Sequence, residues 1–400
     1  MSARESRRQF LSNQMLTVAG LSAASAAPTQ KPTGQPKKPA RRPLGKTGIE
    51  VPIVSMGVMN TSAHGLIRKA YDVGVRHFDT SAAYFNGQSE EALGAVIKEL
   101  GVRRDVILAT KALYPAQREG MSAAEAKQAF VSIFRKSLTR LKTDYVDILY
   151  FHDLSNAQDV THPGVTEAMA ELKKQGMARF LGVSSHIGQV AVLKEVARTR
   201  LYDVALIAFN FTMSENQELL TAIRTASSAG VGLVAMKTQG GGPWYQNEVA
   251  PDERYQQRIN QTAALKWVLG HPEIATAIPG FADYAHIDED FSVAFGITLT
   301  DEERTFLKSR NVRASIGFCQ QCSKCVADCP SSVEIPSLMR AHMYAIGYGN
   351  AQQARFALAS LRPERGLDAC STCTSCRASC PNQVRIASRI GDLESLFAPI

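Results

Sequence analysis

The chain has 400 residues, long enough for a barrel of about 250 residues plus a smaller module, and its 45% hydrophobic and 20% charged content is that of an ordinary globular protein. The formal charge of +8 resides in residues 1–46, which hold nine Lys or Arg and one acidic residue, and the remaining 36 basic and 36 acidic residues balance. A neutral body without a basic stripe argues against nucleic acid as a partner, and the absence of any run of 18 apolar residues argues against a transmembrane span other than a retained leader.

The chain opens with a basic stretch, Ser6-Arg7-Arg8-Gln9-Phe10-Leu11, and a moderately apolar run over 15–27 follows it. Charged head, short apolar middle and a small-residue tail at Ala24-Ser25-Ala26 are the parts of an export signal. The paired arginines before Phe10-Leu11 resemble the twin-arginine signal, whose pathway carries folded proteins with their cofactors. Residues 1–27 are thus expected to be a signal segment and the mature protein periplasmic or membrane-associated. The alternative is a disordered basic N-terminus on a cytoplasmic protein. Residues 28–42, rich in Pro, Lys, Gln, Gly and Thr, have too little apolar content for a core and read as linker.

From about 43 to 312, strand and helix patterns alternate. β-branched or apolar runs occur at 51–58, 75–79, 106–111, 146–152, 180–184, 204–210, 231–237 and 276–279. Helical patterns lie between them, as at 89–100, 122–141, 164–174 and 215–229. Alternation of this kind implies parallel strands with crossover helices, and eight such units close into a (β/α)8 TIM barrel. A dinucleotide-binding Gly-x-Gly-x-x-Gly after the first strand is missing, which weighs against a doubly wound sheet. A long segment over 238–257, with Trp244 and Tyr245, reads equally as a lid or as a packed loop.

Polar residues stand where the strand patterns stop: Asp79, Lys111, His152, Ser184 and Ser185, Asn210, and Lys237. In a TIM barrel these positions converge on the C-terminal face, where catalysis takes place. An Asp, a Lys and a His at one mouth, with Tyr84 five residues past the Asp, make a workable proton-transfer set.

The segments Phe78-Asp79-Thr80-Ser81-Ala82-Ala83-Tyr84, Ser89-Glu90, Leu108-Ala109-Thr110-Lys111 and Leu149-Tyr150-Phe151-His152, and the opening Pro43-Leu44-Gly45-Lys46-Thr47-Gly48, resemble the aldo-keto reductase family over about 42–295. The resemblance implies hydride exchange between NADP(H) or NAD(H) and a small carbonyl or alcohol substrate. Tyr84 would be the proton donor, its pKa lowered by Lys111; Asp79 would hold Lys111, and His152 would orient the carbonyl. It also implies cofactor contacts at Ser184, Ser185, Asn210, Lys237, Gly280, Glu289 and Asp290. Leu206 replaces a common Gln, and Phe281-Ala282-Asp283 offers no cation for a 2′-phosphate. The choice between the nucleotides therefore stays open, with a lean to NADP(H) from the family alone.

All eight cysteines fall in residues 313–400, in two runs: Cys319-x-x-Cys322-x-x-Cys325-x-x-x-Cys329-Pro330 and Cys370-x-x-Cys373-x-x-Cys376-x-x-x-Cys380-Pro381. This is the bacterial two-cluster ferredoxin spacing, in which the fourth Cys of each run serves the other cluster. Two [4Fe–4S] clusters are expected, one on Cys319, Cys322, Cys325 and Cys380, the other on Cys370, Cys373, Cys376 and Cys329. A pair of zinc sites is the alternative, to which the repeated third Cys and Cys-Pro are foreign. The helical pattern over 334–361 makes this a small, mainly helical ferredoxin-like iron-sulfur domain. Its clusters would be structural or would relay electrons, with a redox partner protein or a quinone as the other party.

Overall fold

The structure, a computed structural model, describes residues 38–113, 121–240, 260–309, 312, 317–371 and 373–397. The leader, most of the linker, and Trp244 and Tyr245 lie outside the described residues. So does most of the boundary near residue 312. Lys38–Ile400 form one compact unit.

A two-stranded antiparallel hairpin, β1 (Arg41–Pro43) and β2 (Glu50–Pro52), takes in the end of the expected linker. The Arg42 guanidinium anchors it by donating to the carbonyls of Leu269, His271 and Ile274. Gly45, at φ +55, turns this hairpin against the barrel floor, where a Cβ would stand 2.3 Å from the Gly232 nitrogen.

The eight barrel strands follow: β3 (Met56–Gly57), β4 (His77–Asp79), β5 (Ile107–Ala112), β6 (Val146–Leu154), β7 (Ala178–Ser185), β8 (Val204–Ala208), β9 (Gly232–Met236) and β10 (Ile274–Ala277). They form one parallel sheet in sequential order. Bridges from Val54 to Ala277 and from Gly57 to Gly280 join its edges, closing the TIM barrel. The expected single strand over 51–58 is split: its first half pairs in the floor hairpin, and Val54 and Met56–Gly57 pair in the barrel.

Two apolar layers result. Leu44, Ile148, Tyr150, Leu206, Val234 and Met236 fill the barrel interior, as a small eight-stranded barrel requires. The outer layer packs strands against helices such as Gln88–Leu100, Ala123–Leu141 and Gln217–Ser228.

The C-terminal region is helical: Ile335–His342, continued by a π-helical turn at Met343–Gly347, then Ala351–Ala359, Leu367–Cys370 and Ile386–Phe397. Its buried Val333, Leu338, Met339 and Leu393 are continuous with the outer layer of the barrel. Gln320 Nε2 donates to the Thr212 carbonyl at 2.6 Å, pinning the first cysteine run beside the barrel mouth.

Candidate active site

Asp79, Lys111 and His152 lie at or near the C-terminal ends of β4, β5 and β6. All three, with Tyr84, are buried. Lys111 Nζ pairs with Asp79 Oδ1 and donates to the Thr80 carbonyl at 2.8 Å. The strand ends are braced from behind. Thr80 and Ser89 hydroxyls meet at 2.8 Å, and Glu90 accepts from Thr110 at 2.5 Å and Arg140 at 2.6 Å. Tyr84 begins a tight turn in which Phe85, Asn86 and Gly87 all take positive φ. For Phe85 and Asn86 this costs on the order of 1–3 kcal/mol each, strain that a rigid site sustains. At Gly87 a Cβ would meet Arg140 Nε at 2.6 Å.

The turn sets the Tyr84 ring 4.9 Å from Lys111 Nζ and edge-on to His152, with centroids 6.2 Å apart. The Ser81 hydroxyl and His152 Nδ1 are 3.3 Å apart, fixing the imidazole. Burial, then the cations Lys111, Arg340 and Lys237, push His152 down to about 3, so it is a neutral hydrogen-bonding ring at working pH. Burial pulls Lys111 down and Asp79 up, and each partner's charge opposes the shift of the other. Tyr84 departs from expectation. Burial raises its pKa well above the ordinary value, the carboxylates of Asp79 and Asp153 add to the rise, and the opposing cation is Arg340 rather than Lys111. Tyr84 is therefore a protonated phenol in the free protein.

Two cavities meet here, and among the described residues Tyr84 is the one that lines both. The first is a cleft along the ends of β3, β4, β9 and β10. It places Asp79 and Tyr84 with Lys237, Gly280, Glu289 and Asp290. Its walls carry buried polar atoms without protein partners: Asn60 Oδ1, Thr238 Oγ1 and Asp79 Oδ2. Gly280 keeps one wall low, since a Cβ there would stand 3.0 Å from Asn60 Nδ2. Orphaned donors and acceptors beside a glycine wall fit a nucleotide. Asp290, raised to about 7 by burial, accepts from Gln239 at 2.6 Å. Ser184, Ser185 and Asn210 are fully buried and are not in this lining. The Ser184 hydroxyl accepts from the Asp153 N–H, Ser185 donates to the Ile187 carbonyl, and Asn210 donates to the Lys237 carbonyl while capping Thr212.

Lys237, at φ +57, holds its ammonium 4.7 Å and 4.9 Å from the Tyr344 and Tyr348 ring centroids. Burial, then Arg340 and Lys111, push it down to about 7. A lysine with a lowered pKa loses its charge as pH rises through that value. Asp290, pushed up to about 7 in the same cleft, ionises over the same range, so binding of an anionic nucleotide such as NADH should weaken by at least about tenfold between pH 6 and pH 8. Titration calorimetry across that range checks this, with Lys237→Met expected to bind weakly at every pH. A pH-independent dissociation constant for the unaltered protein would contradict it.

The second cavity, of about 670 Å³, is bounded on the barrel side by Tyr84, Phe151, His152, Asp153 and His186. Arg340, Tyr344, Gln353, Phe356 and residues 359–363 of the C-terminal region roof it. Arg340 Nη1 donates to Asp153 Oδ1 at 2.5 Å. Sequence reasoning missed Asp153, His186, Arg340, Tyr344 and Tyr348. His186 and Asp153 stood next to residues already marked. The others belong to a helical stretch whose pattern shows an apolar face but not what that face covers.

None of the eight cysteines is in a disulfide. Burial pushes Cys319 up to about 12, and the nearby Cys380, Cys325 and Cys322 sulfurs push the same way. Cys370 is likewise pushed up to about 12 by burial, with Cys329, Cys373 and Cys376 as sulfur neighbours. Cys319 and Cys370 each have a sulfur of the other run among their neighbours, and Cys325 has Cys329 as well as Cys380. Eight thiols in two runs fit a pair of iron–sulfur clusters in donor type and number. Among the described residues no three His, Cys, Asp or Glu side chains close on a single ion.

Residues 54–263, more than half of the chain, match the Aldo/keto reductase family model, and residues 318–385 match a 4Fe-4S dicluster domain. An uncharacterized oxidoreductase of Bacillus subtilis (strain 168) is 27% identical over 303 residues, 67% of this chain and 95% of that one. L-galactose dehydrogenase of Arabidopsis thaliana is 27% identical over 280 residues, 62% and 86% of the two chains. The holo form of an aldo-keto reductase from Bacillus halodurans superposes with a TM-score of 0.54 at 21% identity, covering 68% of this chain and 96% of that one. The chain belongs to the aldo/keto reductase family and carries a 4Fe-4S dicluster domain at its C-terminus.

Proposed function

We propose that the protein reduces an aldehyde or ketone with NADPH or NADH, or runs the reverse reaction on an alcohol, at the junction of the two cavities. The observation that carries this reading is the position of Tyr84, whose ring lines both the cleft that fits a nucleotide and the larger cavity beside it. When bound, the nicotinamide supplies hydride. The Tyr84 hydroxyl gives its proton to the carbonyl oxygen as negative charge develops there, and a developing alkoxide is a strong enough base to take it even from a phenol of raised pKa. Neutral His152 directs the carbonyl oxygen by a hydrogen bond. Asp79 holds Lys111, whose Nζ lies 4.9 Å from the Tyr84 ring centroid and helps fix the ring in place. Burial of all four groups excludes water from the transfer. Incubation of the iron-loaded protein with nucleotide deuterated at the reactive carbon and a panel of aldehydes and ketones tests the reading. One deuterium should appear on the carbinol carbon for each nucleotide oxidised. Failure of every carbonyl to oxidise nucleotide would refute it.

One observation favours a second reading. Cys319, Lys237, His186 and Arg340 line one small cavity, so the first sulfur quartet adjoins the mouth of the barrel. In that reading electrons pass between the barrel and a partner protein or quinone by way of the clusters. For residues 1–27 we propose a twin-arginine export signal. A fusion of residues 1–40 to a folded reporter should cross the membrane and stop crossing when Arg7 and Arg8 become Lys; a cytoplasmic reporter in both cases would dismiss it. Among the described residues no helix is long and apolar enough to cross a membrane.

A further inference from the structure

Arg340 belongs to the iron–sulfur region yet lies in the cavity that receives the carbonyl. It is 6% exposed. Among the described residues the one acceptor it reaches is Asp153 Oδ1, bonded through Nη1. Its Nε is buried with no partner, leaving an edge of the guanidinium unused. A buried donor without a partner costs about 1–3 kcal/mol, and a ligand that satisfies it recovers that cost.

The surroundings hold this edge in place. Arg340 stands in the last turn of the helix Ile335–His342, which runs straight into the π-helical turn of Tyr344, a local distortion frequent at functional sites. On the barrel side, Asp153 takes φ +63 where the register of β6 and β7 shifts between Phe151 and Leu154. Such a bulge re-aims a side chain at a sheet end. The carboxylate so placed orients the guanidinium.

The charges acting on His152 are those of Lys111, Asp153, Arg340 and Lys237. Asp153 is paired with Arg340, Asp79 with Lys111, and Lys237 lines the neighbouring cleft, so no uncompensated carboxylate among these groups repels an anion. Farther along the wall, Asp159 accepts from Asn156 Nδ2 and the Ser155 N–H, and Arg362 lines the same cavity. The free edge of a planar guanidinium matches a carboxylate, whose two oxygens accept two parallel N–H bonds.

We propose that Arg340 is the anchor for a carboxylate on the carbonyl substrate, so that the substrate class is an aldehyde or ketone bearing a carboxylate and the iron–sulfur region supplies its specificity. This rests on the carbonyl-reductase reading above and narrows it.

The test uses the iron-loaded full chain and two aldehydes of like shape, 4-carboxybenzaldehyde and its methyl ester. The unaltered protein should prefer the carboxylate by at least about tenfold in kcat/KM, a charge-assisted bidentate pair being worth more than one tenfold factor. Arg340→Gln should lower kcat/KM for the carboxylate by at least about tenfold more than for the ester, the difference lying in KM. Because Arg340→Gln strands the Asp153 carboxylate, the double variant Asp153→Asn with Arg340→Gln is measured alongside and should also lack the preference. Equal use of both aldehydes by the unaltered protein, or an equal loss for both in the variants, would overturn the proposal and leave Arg340 a tie between the two regions. Should neither aldehyde be reduced, the carbonyl-reductase reading fails, and binding of the unreactive terephthalate by calorimetry then decides on Arg340 alone. Binding to the unaltered protein that falls at least about tenfold in Arg340→Gln supports the anchor. Absence of binding, or equal binding to both, refutes it.

Discussion

Replacing Tyr84 with Phe is expected to lower kcat/KM for carbonyl reduction by about 10²- to 10⁴-fold, the range for losing a positioned general acid. The change removes one oxygen and keeps the buried ring, so Lys111 keeps its aromatic neighbour at 4.9 Å and the fold is retained. Nucleotide affinity should be unchanged, which stopped-flow binding beside steady-state rates would establish. Lys111→Met is a poorer probe, because it strands the buried Asp79 carboxylate, a loss of about 3–5 kcal/mol. Burial keeps His152 neutral, pushed down to about 3, so no rate change between pH 5 and pH 8 should trace to its ionisation. A Tyr84→Phe protein with unchanged kcat/KM would mean that another group gives the proton.

Removing iron should produce the second large effect. Clusters on the expected crossed quartets would tie the first cysteine run to the second twice over, and the helix carrying Arg340 and the turn carrying Tyr344 lie between the runs. Without iron the buried sulfurs become neutral thiols, Cys319 and Cys370 each pushed up to about 12, and both ties are lost. Chelation under reducing conditions should lower Tm by at least about 5 °C, as the loss of a few kcal/mol does in a protein of this size class. Because Arg340 and Tyr344 roof the larger cavity, kcat/KM for the carbonyl should fall by at least about tenfold, the equivalent of 1.4 kcal/mol. Reconstitution with iron and sulfide should restore both. Full carbonyl reduction by iron-free protein would show that the roof stands without clusters.

The barrel was legible in the sequence because short apolar runs at a steady spacing, each ending in a polar residue, admit few other folds. The strand expected at 51–58 was split because its residues serve two sheets: Glu50–Pro52 pair with the floor strand before Met56–Gly57 enter the barrel. The strand-end tetrad was legible from position, and Lys237, Gly280, Glu289 and Asp290 were legible as a group that shares one cleft. Ser184, Ser185 and Asn210 carry the right chemistry, but a sequence does not show which way a buried hydroxyl or amide points, and here they bond to the protein's own backbone. The raised pKa of Tyr84 was not legible either, since it is a balance of burial and two carboxylates against one arginine more than 250 residues away in the chain. Arg340, Tyr344 and Tyr348 required knowing where the C-terminal helix lands, which no local pattern records.

The most direct test of hydride transfer to a carbonyl is anaerobic mixing of cluster-loaded protein with NADPH, and then with 4-carboxybenzaldehyde, while nucleotide and cluster absorbance are followed together. Nucleotide should be consumed only after the aldehyde is added, with the cluster band unchanged throughout. Bleaching of the cluster band by NADPH alone, with no consumption on adding the aldehyde, would contradict the account and make the clusters the electron acceptor.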